Sequence, residues 1–202
     1  NTPDAPAQAV SELALALILS VLRRVAEADR ALRAGRWERM MGKLLSGKSI
    51  GLVGAGRIGR KVGALCQAFG AEVVACDITP ISAAGIRSMP LDELLAKSDI
   101  VSLHLPLTSA SKGMVDRHRL SLMKPGAILI NTARGGLVEE VALLDALRSG
   151  RLAGAGLDVY LDEPYSGPLL SLPNVVFTAH MGSAAKECRT KMEHEAVANL
   201  LA

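Results

Sequence analysis

In Lys48-Ser-Ile-Gly-Leu-Val-Gly-Ala-Gly-Arg-Ile-Gly-Arg60 an apolar run stops in glycines and restarts as a helix, an order that few folds accommodate. Ile50 to Val53 reads as a buried strand, and Gly54-Ala-Gly56-Arg-Ile-Gly59 fits G-x-G-x-x-G. Arg57 to Phe69 has helical apolar spacing at Ile58, Val62, Leu65 and Phe69. This is the pattern of a dinucleotide-binding turn: Gly54 turns tightly, Gly56 lets a pyrophosphate touch the backbone, and Gly59 lets helix and strand pack closely. The free N–H groups at the helix start then face the phosphates.

Context strengthens the pattern. Glu72-Val-Val-Ala-Cys-Asp77 reads as a second strand ending in an acid 18 residues after Gly59, near the spacing of about 20 that places a carboxylate at the adenosine ribose. Such a carboxylate accepts bonds from the ribose hydroxyls and repels a 2′-phosphate, so the expected cofactor is NAD rather than NADP.

The 202 residues suffice for one domain, 50% are hydrophobic, and with aromatics at 2% the core must be aliphatic. The net charge of +3 is spread along the chain without a basic run, so neither a nucleic-acid nor a membrane partner is expected. Cys66, Cys76 and Cys188 are odd in number and far apart, as in a reduced cytoplasmic protein, and no metal site is expected.

Asn1 to Pro6 reads as an extended lead, followed by one long helix over Ala7 to Ala34. Its first half is apolar nearly all round, which calls for burial on several sides, by its own sheet and by another chain or domain. Later strands are predicted at Ile86–Met89, Ile100–Leu103, Ala127–Asn131, Ala153–Leu157 and Asn174–Phe177, with helices at Pro90–Leu95, Val138–Ser149 and Ala184–Leu200. Alternating strands and helices predict an α/β fold, a doubly wound parallel sheet with helices on both faces.

Ligands of such sheets bind beyond the carboxyl ends of the strands. That rule selects Gly54, Gly56, Arg57, Ile58, Gly59, Asp77, His104, Pro106, Thr108, Thr132, Ala133, Arg134, Asp158, His180 and Gly182 as cofactor-binding candidates. Three residues on the rim carry chemistry. Arg134 can hold a planar carboxylate by paired hydrogen bonds. His180 can exchange a proton with a ketone or alcohol, and Glu163 can fix its tautomer. A hydrolase is disfavoured because no G-x-S-x-G elbow occurs, and a methyltransferase would not need the Arg, Glu and His.

These residues sit in Gly35-Arg-Trp37, Gly54–Gly59, His104-Leu-Pro-Leu-Thr108, Asn131-Thr-Ala-Arg-Gly-Gly-Leu-Val-Glu-Glu140, Gly156-Leu-Asp-Val-Tyr160, Asp162-Glu-Pro164 and Ala179-His-Met-Gly-Ser183. In that order, across nearly the whole chain, they strongly resemble the D-isomer-specific 2-hydroxyacid dehydrogenases, in particular the phosphoglycerate dehydrogenase branch. The resemblance implies an NAD-dependent oxidoreductase acting on a small D-2-hydroxy or 2-keto acid, with 3-phosphoglycerate favoured. By the same resemblance Arg134 orients the substrate, His180 is the acid/base, Glu163 partners it, Asp158 holds the nicotinamide carboxamide, and Arg57-Ile58 lie against the pyrophosphate. A homodimer formed through the cofactor domain is also implied. Ala179 replaces a proline common before the His, without removing a functional group. The family includes corepressors that sense NAD on the same fold, which is the alternative reading. Family members are longer, so residues 1–202 are expected to form the single cofactor domain, with the substrate domain absent and turnover by this chain alone poor.

Overall fold

A computed structural model describes residues 5–81 and 83–201. Seven strands form one parallel sheet: β1 (Ser49–Val53), β2 (Glu72–Cys76), β3 (Ile86–Ser88), β4 (Ile100–Leu103), β5 (Ala127–Asn131), β6 (Leu152–Leu157) and β7 (Val175–Phe177). Their order is β3-β2-β1-β4-β5-β6-β7, so the direction of winding reverses between β1 and β4.

Side chains alternate across the sheet and build a core on each face. In β5, Ile128 and Ile130 pack with Ile50, Leu52, Val62 and Ile100 on one side. Leu129 packs with Val101, Leu103, Leu143 and Leu147 on the other. Helices α1 (Ala5–Leu22) and α3 (Arg57–Ala68) cover the first face. The second is covered by α4 (Leu91–Lys97), α5 (Arg117–Leu122) and α6 (Glu140–Arg148). Each fully buried Leu or Ile contributes roughly 1.5–3 kcal/mol, which explains how a core nearly without aromatic residues holds together.

The long N-terminal helix differs from the expectation. It is two helices, α1 and α2 (Val25–Arg33), separated at Arg23 and Arg24, with Arg24 in a left-handed conformation (φ 52°). No glycine or proline marks this break; a bidentate contact from Arg24 to Glu27, at 2.8 and 2.6 Å, accompanies it. Residues 1–4 of the expected extended lead lie outside the described residues. Ala5 and Pro6 already belong to α1, since proline in a first helical turn loses no bond.

By length and composition α1 could cross a bilayer, but its apolar side chains have neighbours within the chain. Ala14, Leu17, Ile18 and Leu22 are buried, and α1 packs on β5, β6, β7, α3 and α7 (Lys186–Leu201). Exposed large apolar residues begin just beyond it, with Val25, Leu32, Trp37, Met41 and Leu44. Sequence spacing also passed over the short helix α5, whose N-cap Asp116 accepts a bond from Arg119 N.

The glycines of the first turn divide by role. A Cβ on Gly59 would lie 2.1 Å from the Gly54 carbonyl oxygen, whereas one on Gly56 would meet nothing within 4 Å. Gly59 is therefore required by packing, and Gly56 by no contact inside the protein. Gly59→Ala is expected to lower stability by about 1–3 kcal/mol through overpacking against backbone. Gly56→Ala should change it by less than about 1 kcal/mol, the scale of an N-cap substitution. Urea denaturation measures both.

Candidate active site

The last residues of six strands are paired in register. Val53 sits opposite Cys76 and Leu103, Leu103 opposite Asn131, Asn131 opposite Leu157, and Leu157 opposite Phe177. The residues that follow them therefore emerge along one rim: Gly54, Asp77, His104, Thr132, Asp158 and Thr178.

At the β1–α3 end, Gly56 is the N-cap of α3 and has no side-chain cap, so the first N–H groups of a helix open onto the space in front of that glycine. Asp77 Oδ2 accepts from Ala55 N at 2.6 Å, and Oδ1 accepts from Thr79 N and Thr79 Oγ1, both at 2.9 Å. Desolvation pushes this carboxyl up, but the bonds from Thr79 and Ala55 outweigh it and hold the group below its ordinary value. Asp77 is thus a fixed anion beside the glycine turn.

Toward β4–β7, a cavity of about 380 Å³ is lined by Ile58, His104, Pro106, Thr132, Ala133, Arg134, Asp158, His180 and Gly182. These nine are all expected site residues. His104 turns its ring to the buried Ser102 hydroxyl, 2.8 Å away, and burial pushes it down to about 4, so it is neutral at physiological pH. Thr108 is not among the nine: its N–H and hydroxyl are spent on Ser111 in a local turn, and it does not reach the cavity. Arg57 lines a separate open groove with Arg60 and Lys61, between α1, α3 and α7.

Asp158 is 1% exposed. Its Oδ1 accepts from Thr178 Oγ1 (2.6 Å) and Met181 N (2.8 Å), its Oδ2 from Gly182 N (2.9 Å), and its carbonyl from His180 N (2.8 Å). These bonds enclose His180, which is in a left-handed conformation (φ 49°) that a residue with a Cβ adopts at a cost of roughly 1–3 kcal/mol. In return the imidazole is aimed: His180 Nδ1 lies 2.7 Å from Glu163 Oε2. Glu163 Oε1 accepts from Tyr160 N at 3.0 Å. The His180 contact first, then the Tyr160 N–H and the nearby charge of Arg134, hold Glu163 below the usual carboxylate range.

Three supporting residues were not singled out from sequence. Asn131, 2% exposed, donates through Nδ2 to Arg134 O (2.9 Å) and accepts at Oδ1 from Ala133 N (3.1 Å), shaping the loop that carries Arg134. An Asn at a strand end before a turn is a readable signal for this role. Tyr160 stacks on Tyr165 (centroids 4.5 Å apart), and its hydroxyl donates to Thr178 O at 2.7 Å. Thr178 is the third. Neither Tyr160 nor Thr178 has a local sequence signal, because their partners are up to 20 residues away.

The residues fit a dinucleotide. The space at Gly56 would be filled by any side chain, nothing among the described residues lies within 4 Å of a Cβ built there, and the Asp77 carboxylate stands beside it as an acceptor for a ribose. A parallel sheet with a glycine turn at its switch point, an acid at the next strand tip and an Arg, Glu and His on the same rim defines a dinucleotide-binding domain of an oxidoreductase. Residues 15–182 match the D-isomer specific 2-hydroxyacid dehydrogenase, NAD binding domain. The chain belongs to that family, as its NAD-binding domain.

Among relatives, the chain is 46% identical over 198 residues to a D-3-phosphoglycerate dehydrogenase of Mycobacterium leprae, covering 95% of this chain and 38% of that protein. It is 41% identical over 216 residues to a glyoxylate reductase of Thermococcus litoralis, covering 100% of this chain and 65% of that protein. Of solved structures, the TT0316 protein from Thermus thermophilus superposes with a TM-score of 0.96 at 46% identity, over 100% of this chain and 67% of that one. The chain therefore spans well under half of the first of these relatives, and less than two thirds of the second.

Because the folded pKa of Glu163 is depressed, its contact with His180 adds stability above the ordinary carboxylate value of 4.5. That contribution is lost as pH falls through the lower folded value. In His180→Ala the Glu163 carboxyl should titrate closer to 4.5 than in the parent. Carbon-detected NMR across the acid range checks this, and an unmoved midpoint would show that the His does not set it.

Proposed function

We propose that the protein to which this domain belongs transfers hydride between NAD and a small D-2-hydroxy or 2-keto acid at this rim. One observation carries the reading: the 2.7 Å contact between His180 Nδ1 and a Glu163 that is ionised at neutral pH. An ionised carboxylate only accepts, so the ring proton stays on Nδ1, and Nε2 is left to handle the substrate's proton. In oxidation, His180 Nε2 takes the proton from the hydroxyl oxygen while hydride leaves the carbon that bears it for the nicotinamide; in reduction the proton returns to the carbonyl oxygen as hydride adds to that carbon. Arg134, exposed on the loop after β5, binds the substrate carboxylate through its planar guanidinium. Bound NAD supplies the hydride acceptor, and Asp77 selects it over NADP by excluding a phosphate at the ribose.

The favoured substrate is 3-phosphoglycerate, supported by the 46% identity to a dehydrogenase of that name, slightly above the 41% to the glyoxylate reductase. The cleft's second wall lies outside residues 1–202, in keeping with the open, half-exposed His180 and with the longer relatives. The domain alone therefore binds NADH and turns over poorly. The three free cysteines support a reducing, cytoplasmic setting.

His180→Asn in the complete protein should lower kcat by roughly 10²–10⁴-fold, the range for loss of a general acid/base. Calorimetric NADH binding should persist. Retained turnover would overturn the assignment of His180.

The domain also forms a homodimer. The support is the exposed apolar side chains on α2 and the connector, Val25, Leu32, Trp37, Met41 and Leu44, together with the apolar first half of the N-terminal helical segment, where Leu13 and Leu15 are only partly buried. Sedimentation at tens of micromolar should give twice the mass of 21.2 kDa, and Trp37→Ser with Met41→Ser should shift the species toward monomer.

A further inference from the structure

We propose that Thr178 is a positioning residue for the acid/base: its hydroxyl, acting through Asp158, holds the left-handed turn that presents His180 to Glu163. The inference rests on the reading of His180 as the proton-transfer group.

Every polar group of Thr178 is committed to the segment leaving β6. Its N–H donates to Leu157 O (2.9 Å), its carbonyl accepts from the Tyr160 hydroxyl (2.7 Å), and its own hydroxyl donates to Asp158 Oδ1 (2.6 Å). The first two bonds use the backbone of residue 178 and do not depend on its side chain. The third depends on the side chain.

Asp158 shows why the hydroxyl matters. It is buried, and among the described residues its hydrogen-bond partners include no cation; its charge is balanced by Thr178 Oγ1, Met181 N and Gly182 N. A buried carboxylate demands such donors, and bonds to a charged acceptor are stronger than neutral ones. With the hydroxyl and Met181 N on Oδ1 and Gly182 N on Oδ2, the plane of the carboxylate is set. That plane dictates where the two N–H groups after His180 must lie. A residue with a Cβ stays at φ 49° only while its surroundings overdetermine that conformation. Removal of the hydroxyl leaves Oδ1 with one donor, frees the carboxylate to rotate, and lets the turn relax. The imidazole then leaves the 2.7 Å contact with Glu163.

The same carboxylate is the one expected to meet the nicotinamide. Among the described residues Oδ2 accepts one bond, so it keeps acceptor capacity, and Asp158 lines the cavity. Thr178 thereby orients one anion for two tasks, one on the cofactor side and one on the proton-transfer side.

The test is nitrogen NMR of the His180 ring in the parent chain, Thr178→Val and Thr178→Ser, at mildly alkaline pH. Val keeps the shape and removes the hydroxyl; Ser restores it. His180→Gln assigns the signal. The parent should show the Nδ1–H tautomer, Thr178→Val a mixture with the Nε2–H form, and Thr178→Ser the parental state. In the complete protein Thr178→Val should lower kcat by about ten- to a hundredfold, the scale of a misplaced catalytic group, with kcat rescued by Ser. A Thr178→Val protein that melts lower yet keeps the Nδ1–H tautomer and kcat would overturn the inference and leave Thr178 a structural residue. A parent without Nδ1–H preference would overturn the acid/base reading itself, and the inference with it.

Discussion

The constraint on which the rest of this structure depends is the common ending of parallel strands. In a parallel sheet every backbone group inside an interior strand is paired, and pairing stops where the register runs out. Here it runs out together at Val53, Cys76, Leu103, Asn131, Leu157 and Phe177. The chain beyond that line must satisfy its own polar groups, and it does so with side chains that belong to the site. Asn131 closes the turn under Arg134, Asp77 anchors Ala55, and Asp158 anchors the loop after β7. The site and the caps of the strands are one set of residues.

Asp158 illustrates how a cost is offset locally. A carboxylate 1% exposed would be strongly destabilising alone. Two backbone N–H groups and one hydroxyl solvate it, and in doing so they bend the chain into a conformation that a histidine would otherwise avoid. A hydrophobic residue at 158 would spare the desolvation, but the bonds from Met181 N and Gly182 N that fix the turn around His180 would be lost. Rigidity at His180 is obtained from buried charge, while the stability of the domain comes from the aliphatic cores on the two faces of the sheet.

Much of this was legible in the sequence. Strands β1, β2, β4 and β5 announce themselves as apolar runs bounded by glycine or polar residues, and the parallel sheet follows from their alternation with helices. Arg134, Glu163 and His180 were readable because each follows a strand in a loop on the carboxyl side. Other features were not legible. The break at Arg23 and Arg24 lies within helix-compatible residues, so no propensity marks it. Thr108 sits in a loop on the correct rim, yet a local turn with Ser111 consumes its donors. Tyr160 and Thr178 matter through partners distant in sequence.

By itself, then, the sequence determined the fold class, the glycine turn and the identity of the groups available on the rim, because periodicity and strand ends are local properties of the chain. Only the tertiary structure decided which of those groups meet. Gly59 is distinguished from Gly56 by the presence or absence of a carbonyl 2.1 Å from a would-be Cβ. Glu163 and His180 become a pair by approaching to 2.7 Å, and Asp158 becomes the anchor of the His180 turn by accepting three bonds in the interior. Hydrogen bonds and close packing act over a few ångströms, and residues far apart in sequence come within that range only once the sheet has closed.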